Sequence, residues 1–421
     1  MIRILKRLIS FLIITYLVFG IPISTDVLAI SASAPIATAQ QSTSISVVNN
    51  FGEDPKTERN FTWNTLQKIK TGFIEYCPKD EFQSFNDHNV IIVTAQSYES
   101  KNDTDCRMIH KVSLKNLKPG TEYIYRVGNG TDIISPQGTF KTAEKNSDQF
   151  TFIQITDTQG SNAKDYKVWE NTLDNALKKF PDAKFLLHTG DMEDNGQKIS
   201  QWDLFSDAVK SELMNLPIEP AVGNHEVLNK NGTNLNAKNF IDKFNLPEET
   251  GTGAPSGTIY SFDYGNAHIA VLNTECSSDN LKKEGDWLKS DMEKSDKPWK
   301  IVALHRGLYG ATYDSSTIRK AWAPIFDQAG IDLVLQGHDH NYVRTFPMNN
   351  NTKVQAGKGT VYITADSGGV KFYPQKWRSW QAVDLQPYRQ MFVAVTISKS
   401  KLVIEAYDVN DTLKDTLTLN K

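Results

Sequence analysis

The stretch Phe150-Thr-Phe-Ile-Gln-Ile-Thr-Asp157 is a nearly continuous apolar run that ends on a carboxylate. A run of this kind predicts a strand buried on both faces of a sheet. From Tyr166 to Phe180, apolar side chains recur at steps of three and four residues, which predicts a helix with one buried face. Because strand-like and helix-like segments keep alternating downstream, we expect an α/β domain over residues 148–400, with short strands of the same domain in 401–421.

Five segments of this domain end on residues that bind metals, and each follows a strand-like run. They are Ile155-Thr-Asp157-Thr-Gln159, His188-Thr-Gly-Asp191, Gly223-Asn-His-Glu226, Val302-Ala-Leu-His305 and Gly337-His-Asp-His340. Strand ends suit ligands, because the sheet fixes the backbone while the next loop lets a side chain project. One segment alone has a structural explanation, since Asp157 could cap a helix. Together the five predict a site for two divalent metals and favour metal-assisted phosphoester hydrolysis.

The five segments resemble those of the calcineurin-like metallophosphoesterases, over roughly residues 148–400. Within that superfamily the chain is most similar to the purple acid phosphatase branch, because Gly337–Arg344 resembles its fifth motif and Tyr362–Gly369 the Gly-rich strand end that follows. The resemblance implies two packed, mixed β-sheets flanked by helices. It also implies six metal ligands, which are Asp157, Asp191, Asn224, His305, His338 and His340.

In this family pattern Asp191 is the ligand shared by both metals, since a carboxylate offers one oxygen to each ion. Asp157 and His340 complete the first metal, and the other three ligands hold the second. The expected chemistry is attack of a metal-bridging hydroxide on the phosphorus. The family uses the position of His225 as a general acid or a phosphate contact, and Glu226 is the candidate to orient its imidazole.

Arg306 directly follows the ligand His305 and is a candidate phosphate clamp, because a guanidinium group matches two phosphate oxygens. A solvent-facing or salt-bridged arginine is an equally good interpretation of this position.

Two positions depart from the family pattern. The superfamily places a histidine where this chain has Gln159. A glutamine oxygen suits a hard ion such as Mn²⁺, and it binds zinc or iron more weakly than imidazole does. Purple acid phosphatases place a tyrosine where this chain has Asp194, so no tyrosinate would bind iron and the protein should be colourless. Asp194 could replace that ligand or support the turn beside it. We therefore expect two divalent ions, with Mn, Zn and Fe all acceptable.

Residues 43–143 differ from the α/β region, because short runs rich in β-branched and aromatic residues alternate with polar turns. Leu117-Lys-Pro-Gly-Thr-Glu-Tyr123 resembles the tyrosine corner of fibronectin type III domains, in which the tyrosine hydroxyl bonds back to the backbone. The sequence therefore predicts an N-terminal all-β sandwich, fibronectin III-like, followed by the α/β catalytic domain. The polar segment Glu144–Asp148 is the expected linker.

The N-terminal segment has the layout of an export signal, with basic residues before an apolar stretch and small residues ending at Ala39. We expect residues 1–39 to be a cleaved signal peptide, although an uncleaved anchor is the alternative. A cleaved chain has no stable membrane anchor and would be secreted, extracellular or associated with the cell surface. The formal net charge of −3 and the lack of Lys/Arg runs argue against nucleic acid as a partner.

The three cysteines are too few for a disulfide framework. Cys77 and Cys106 could pair after export, which would leave Cys276 alone. No zinc-type cysteine spacing occurs, so the metal ligands must be oxygen and nitrogen atoms.

The interpretation we favour is a secreted phosphomonoesterase that acts on a small phosphoester. A phosphodiesterase or nucleotide pyrophosphohydrolase with the same site is one alternative. A surface-binding module with a weakly active catalytic domain is the other, and the intact set of six ligands argues against it.

Overall fold

The computed structural model describes residues 45–66, 68–228, 237–249 and 251–421. The predicted signal peptide lies outside these residues. Within them, no helix is both long and apolar enough to cross a membrane.

The N-terminal region folds as a sandwich of two antiparallel sheets. Its strands are β1 (Val48–Phe51), β2 (Arg59–Thr65), β3 (Gly72–Pro78), β4 (Ile91–Thr94), β5 (Gln96–Lys101), β6 (Cys106–Leu114), β7 (Glu122–Asn129), β8 (Asp132–Ile133) and β9 (Gly138–Lys141), with a 3-10 turn at Lys79–Glu81. One sheet has the order β1-β2-β6-β5, and the other has the order β4-β3-β7-β8 with β9 also paired to β7. The predicted tyrosine corner is confirmed, because the Tyr123 hydroxyl accepts a hydrogen bond from the Lys118 backbone nitrogen at 2.8 Å.

The rest of the chain forms an α/β domain, as the alternating pattern predicted. Its helices are α1 (Ala163–Lys179), α2 (Ile199–Ala208), α3 (Lys210–Asn215), α4 (Asn224–Val227), α5 (Lys238–Lys243), α6 (Ser278–Lys294) and α7 (Ser316–Ala329). Its strands are β10 (Gln149–Ile155), β11 (Leu186–His188), β12 (Ile218–Pro220), β13 (Tyr260–Tyr264), β14 (Ala267–Val271), β15 (Trp299–Arg306), β16 (Leu333–Gly337), β17 (Tyr342–Thr345), β18 (Met348–Asn349), β19 (Thr352–Lys353), β20 (Val361–Thr364), β21 (Gln381–Leu385), β22 (Met391–Ser398), β23 (Lys401–Asp408) and β24 (Leu413–Asn420).

Two mixed sheets carry the α/β domain. The first has the order β12-β11-β10-β22-β23-β24, and the second has the order β13-β14-β15-β16-β20-β17-β21. β10, β11 and β12 run parallel, as do β14, β15, β16 and β20. Side chains of both sheets, such as Phe152 and Ile301, share one buried core, while Trp322 of α7 packs on the other face of the second sheet.

The sandwich shares buried side chains with the α/β domain. Phe51 of β1 lies in the α/β core, and its ring centroid is 5.4 Å from that of Phe185 and 5.3 Å from that of Phe262. In the other direction, Met214 of α3 packs into the core of the sandwich. The two regions belong to one compact unit.

A buried polar pair lies at this junction. Arg59 of β2 donates to the Lys141 carbonyl oxygen at 2.7 Å and to Asn49 Oδ1 at 3.3 Å. Glu219 of β12 accepts from the Phe51 backbone nitrogen at 2.7 Å. Burial lowers the pKa of Arg59 to about 10, although attraction to Glu219 works in the opposite direction. Burial also raises the pKa of Glu219 well above its usual range.

The three cysteines are free. Cys77 lies on β3 and Cys106 on β6, which belong to different sheets of the sandwich, so the disulfide considered from the sequence is not formed.

Candidate metal centre

The sequence-predicted ligands meet at the carboxyl ends of the parallel strands. Asp157 follows β10, Asp191 follows β11, and Asn224 lies just beyond β12 at the start of α4. His305 is near the end of β15, and His338 comes directly after β16. Both sheets therefore contribute side chains to one crevice, which is the usual place for a site in an α/β fold.

Two groups of buried side chains bring their ligand atoms within 4.8 Å of one another. One group is Asp191, His305 and His338, and the other is Asp157, Asp191 and His340. Asp191 belongs to both groups, which agrees with its expected place as the shared ligand. Asn224 extends the first group, because its Oδ1 lies 3.3 Å from His305 Nε2.

Backbone carbonyl groups orient two of the imidazoles. His305 Nδ1 lies 2.8 Å from the Thr189 carbonyl oxygen, and His340 Nδ1 lies 3.0 Å from that of Lys371. A carbonyl oxygen can only accept, so each Nδ1 carries the hydrogen. Each Nε2 then faces a carboxylate oxygen at 3.1 Å, on Asp191 for His305 and on Asp157 for His340. Each pair can share a proton, and the same carboxylate oxygens and imidazole nitrogens also fit a divalent metal.

The charges of His305 and Asp191 also bear on whether the centre suits a cation. Burial opposes the charge on His305, but attraction to Asp191 outweighs it and raises the pKa of His305 to about 10. Burial also disfavours the ionised form of Asp191, yet His305 and His225 hold the pKa of this carboxyl well below its usual range. Asp191 therefore keeps its negative charge in the interior, where a cation is its natural counterion.

The backbone is strained at four of the predicted ligands. The φ angles of Asp157, Asp191, His338 and His340 are 53°, 56°, 75° and 49°, all in the left-handed region. Such a conformation costs about 1–3 kcal/mol for each residue and is concentrated at functional sites.

A glycine provides the space beside the shared ligand. A Cβ atom on Gly223 would lie 2.3 Å from Asp191 Oδ1.

His225 lies at the opening of the centre, with its side chain 26% exposed. Its backbone nitrogen donates to Asp191 Oδ1 at 2.9 Å, and its Nδ1 lies 2.7 Å from the Asp194 carbonyl oxygen. Nε2 is the other ring nitrogen, and it lies 3.8 Å from Asp191 Oδ2. This placement is compatible with a proton donor or a phosphate contact.

The expectation that Glu226 orients the His225 imidazole is wrong. The Glu226 carboxylate accepts from the backbone nitrogens of Gly223, Met192 and Asp191, at 2.6, 2.7 and 3.0 Å. The first turn of α4 directs the side chain back onto these amides, while the Asp194 carbonyl takes His225 Nδ1. Glu226 therefore fixes the loop that carries Asp191.

Arg306 forms an ion pair, which was the alternative to a phosphate clamp. Its Nε donates to Glu275 Oε1 at 2.7 Å, and its Nη1 lies 2.9 Å from His338 Nε2. This contact leaves His338 Nδ1 as the nitrogen available to a metal. The side chain is 27% exposed, and a contact with phosphate stays a prediction.

Gln159 and Asp194, the two departures from the family pattern, occupy different positions. Gln159 Nε2 lies 3.3 Å from His340 Nε2, and its Oε1 is buried with no hydrogen-bond partner among the described residues. A buried acceptor of this kind fits a place beside a cation. Asp194 Oδ1 instead accepts from Lys371 Nζ at 2.6 Å, which favours a supporting role over that of a ligand.

Sequence reasoning missed two aromatic residues at the centre. The Tyr313 ring centroid lies 4.5 Å from that of His338, and the Tyr373 ring centroid lies 4.4 Å from that of His340. Neither tyrosine belongs to one of the five segments. Tyr313 lies in the stretch after His305, at a position that no motif marks.

Comparison with protein families agrees with the fold. Residues 150–342 match the calcineurin-like phosphoesterase model, and residues 45–142 match the purple acid phosphatase N-terminal domain. The chain therefore contains a calcineurin-like metallophosphoesterase domain preceded by a purple acid phosphatase N-terminal domain.

Individual relatives are distant. The chain is 27% identical over 303 residues to probable inactive purple acid phosphatase 27 of Arabidopsis thaliana, which covers 63% of this chain and 50% of that protein. It is 27% identical over 326 residues to acid phosphatase type 7 of Mus musculus, covering 66% and 69% respectively. The chain thus spans about half to two thirds of the length of these curated relatives.

A solved structure supports the fold. The purple acid phosphatase isolated from yellow lupin (Lupinus luteus) seeds superposes with a TM-score of 0.77 at 21% identity, covering 89% of this chain and 74% of that one. At this identity the likeness shows the architecture alone.

Proposed function

We propose that this protein is a secreted phosphoesterase that uses two divalent metals to hydrolyse phosphomonoesters of small molecules. The observation that carries the proposal is the pair of buried donor groups that share Asp191. Asp157, His340 and Gln159 would hold one ion, and Asn224, His305 and His338 the other. When bound, the ions supply a water activated as nucleophile and neutralise negative charge on the phosphoryl group.

The side chains around the ligands have separate tasks in this proposal. Glu226 holds the loop of Asp191 through three backbone amides, so the shared carboxylate is fixed before any substrate binds. His225 delivers a proton to the leaving oxygen, because the Asp194 carbonyl holds its Nδ1 while its Nε2 lies beside the shared carboxylate of Asp191. Arg306, held by Glu275, contributes positive charge beside His338.

Mn, Zn and Fe are all acceptable ions for these ligands. The ion pair between Asp194 and Lys371 supports a colourless protein, because no tyrosine stands at the position that gives purple acid phosphatases their colour. Export is supported by the sequence of residues 1–39 alone. The lack of Lys/Arg runs favours a small phosphoester over nucleic acid as the substrate.

A panel of substrates and metals tests the proposal. The chain lacking residues 1–39 is loaded in turn with Mn²⁺, Zn²⁺ and Fe²⁺, metal content is measured, and mono- and diesters are assayed over a range of pH. We expect two metals per chain and a higher kcat/KM for monoesters. A preference for diesters would establish the phosphodiesterase alternative. A protein that binds two metals but hydrolyses no ester would contradict the proposal and leave the surface-binding module as the remaining interpretation.

A further inference from the structure

Tyr313 and Tyr373 cover the two imidazoles of the His338-Asp-His340 segment in nearly the same way. The Tyr313 ring lies 4.5 Å from His338 at an interplanar angle of 34°, and the Tyr373 ring lies 4.4 Å from His340 at 33°. His338 and His340 belong to different donor groups of the candidate metal centre. One tyrosine therefore stands beside each proposed ion.

The two tyrosines also contact one another. Their ring centroids are 5.9 Å apart at an interplanar angle of 83°, an edge-to-face arrangement. Tyr313 is 42% exposed and Tyr373 is half-buried, so part of the aromatic surface faces solvent.

The backbone around Tyr313 is anchored to the ligand segment. Asp339, which lies between the two histidines, is buried and accepts from the backbone nitrogens of Ala311, Thr312 and Tyr313, the last two at 3.0 and 3.3 Å. The loop that carries Tyr313 is thus fixed to the same turn that presents the metal ligands.

The backbone around Tyr373 is anchored in the same manner. The Tyr373 backbone nitrogen donates to the His340 carbonyl oxygen at 3.2 Å. Gln386 Nε2 donates to the carbonyl oxygens of both His340 and Tyr373, at 2.7 Å each. Both tyrosines therefore have defined positions relative to the metal ligands, as residues that recognise a substrate need.

We infer that Tyr313 and Tyr373 hold the leaving group of the substrate and select phosphate esters of phenols. The inference rests on the proposed phosphoesterase function. Aromatic rings stack with other planar rings, and phenol hydroxyl groups donate hydrogen bonds to ester and phosphoryl oxygens. Both rings lie against proposed metal ligands, so in this proposal they stand beside the atoms next to the ester oxygen. An aromatic ring attached to that oxygen meets them, whereas the base of a nucleotide is separated from its phosphate by a sugar.

Binding of phosphonates to the metal-loaded protein gives a test that needs no turnover. Calorimetry compares phenylphosphonate with methylphosphonate for the wild type, Tyr313→Leu and Tyr373→Leu. We expect the wild type to prefer the phenyl compound, and each variant to lose about 2- to 10-fold of that preference. Leucine keeps apolar bulk and removes the planar ring, and Tyr313→Ala and Tyr373→Ala give a second readout of the same ratio.

Two further variants distinguish the contribution of the aromatic ring to phenyl binding from that of the hydroxyl group and from that of other exposed aromatic residues. Tyr313→Phe keeps the ring, so the phenyl preference should persist. Trp377→Ala is the matched control, because Trp377 lies near Tyr373 in sequence and is 78% exposed. We expect this control to bind both phosphonates as the wild type does.

Hydrolysis distinguishes failure of this inference from failure of the proposed function. The wild type and variants are assayed with phenyl phosphate, glycerol phosphate and a nucleoside monophosphate, and each variant is compared with the wild type so that intrinsic ester reactivity cancels. An active wild type with an unchanged phenyl preference in the leucine variants would overturn the assignment of the tyrosines. A wild type that hydrolyses no ester but keeps a tyrosine-dependent phenyl preference would overturn the proposed function alone.

Discussion

The metal centre and the junction between the two regions both bury charged side chains, but they arrange them differently. At the centre, Asp157 and Asp191 follow strands and have left-handed backbones, and their oxygens face imidazole nitrogens 3.1 Å away. At the junction, Arg59 and Glu219 lie within the regular strands β2 and β12 and bond mainly to backbone groups.

This difference separates a binding site from a structural contact. At the junction each hydrogen bond joins a side chain to a neighbouring segment, so the cluster connects two regions of the chain. At the centre the side-chain nitrogen and oxygen atoms converge on common points, an arrangement that fits a bound cation. Burial of charge alone therefore does not identify a site, whereas convergence of lone pairs on a strained backbone does.

Replacing the shared ligand should have the largest effect. We expect Asp191→Asn to lose both metals and to lower kcat/KM by roughly 10³-fold or more, since one oxygen of the carboxylate is needed by each ion. Metal analysis and hydrolysis of an aryl phosphate measure the two effects. Asp182→Asn, at an exposed turn, is the matched control. A variant with two metals and a near-normal rate would show that Asp191 is not shared.

His225→Asn should keep both metals and slow hydrolysis of esters with poor leaving groups by about 10²–10⁴-fold. An ester whose leaving group is already a stable anion should lose much less, because it needs no proton. Rates for an activated aryl ester and an alkyl ester are compared at equal metal content. Equal losses for the two esters would mean that His225 only contacts phosphate or packs.

Arg59→Met should destabilise the protein by about 3 kcal/mol, because the Lys141 carbonyl and Asn49 Oδ1 lose a buried donor and Glu219 loses a nearby positive charge. The rate per folded, metal-loaded molecule should not change. Denaturant unfolding of the metal-loaded protein measures the loss. The matched control is Arg126→Met, which removes a partly exposed ion pair with Glu75 inside the sandwich and should cost about 1 kcal/mol or less.

A double variant sharpens this test of the junction. Adding Glu219→Gln to Arg59→Met should recover part of the lost stability, because the carboxyl group that has lost the nearby positive charge is then removed. If the losses of stability measured for Arg59→Met alone and for Glu219→Gln alone simply add in the double variant, the attraction between the two residues does not stabilise the junction.

The smallest effect is expected at a charged cluster near the surface. Burial disfavours the charged form of His268, but hydrogen bonds to Asp263 and Asp291 at 2.8 Å each raise its pKa from 6.5 to about 9. A raised pKa means that the folded state binds the proton more tightly. The stabilisation, about 1–2 kcal/mol, is therefore full below pH 6.5 and is lost as the pH rises through 9.

The free energy of unfolding of the wild type minus that of His268→Gln isolates this contribution. The difference should be larger at pH 6 than at pH 9.5, and metal is kept saturating at both values. A difference that does not change with pH would rule out the ionisation of His268 as its source.

Much of the α/β fold and most of the centre could be predicted from the sequence. The apolar run at residues 150–156 identifies β10, and the ligands follow strand ends, where a linear pattern preserves their relation to the sheet. Glu226 was misjudged because adjacency in sequence suggests contact, whereas the first turn of α4 sends its carboxylate to the amides of Asp191 and Met192. Only the fold reveals such a bond.

Tyr313 and Arg59 were missed for a related reason. Tyr313 reaches His338 through a loop anchored by Asp339, and Arg59 reaches its partners across the junction between two regions. Neither residue stands in a pattern with a fixed spacing, so nothing local in the sequence distinguishes it from an ordinary surface tyrosine or arginine.

The pairing of β10 with β22 bears on how the centre is made during protein synthesis. Residues 149–154, which precede Asp157, pair with residues 393–398 near the other end of the chain. During synthesis, Asp157 and Asp191 leave the ribosome long before β22, the strand that pairs with β10. Contacts so distant in sequence form slowly, since a long loop must close first. The sheet that positions Asp157 and Asp191 can therefore be complete only after translation has passed residue 398.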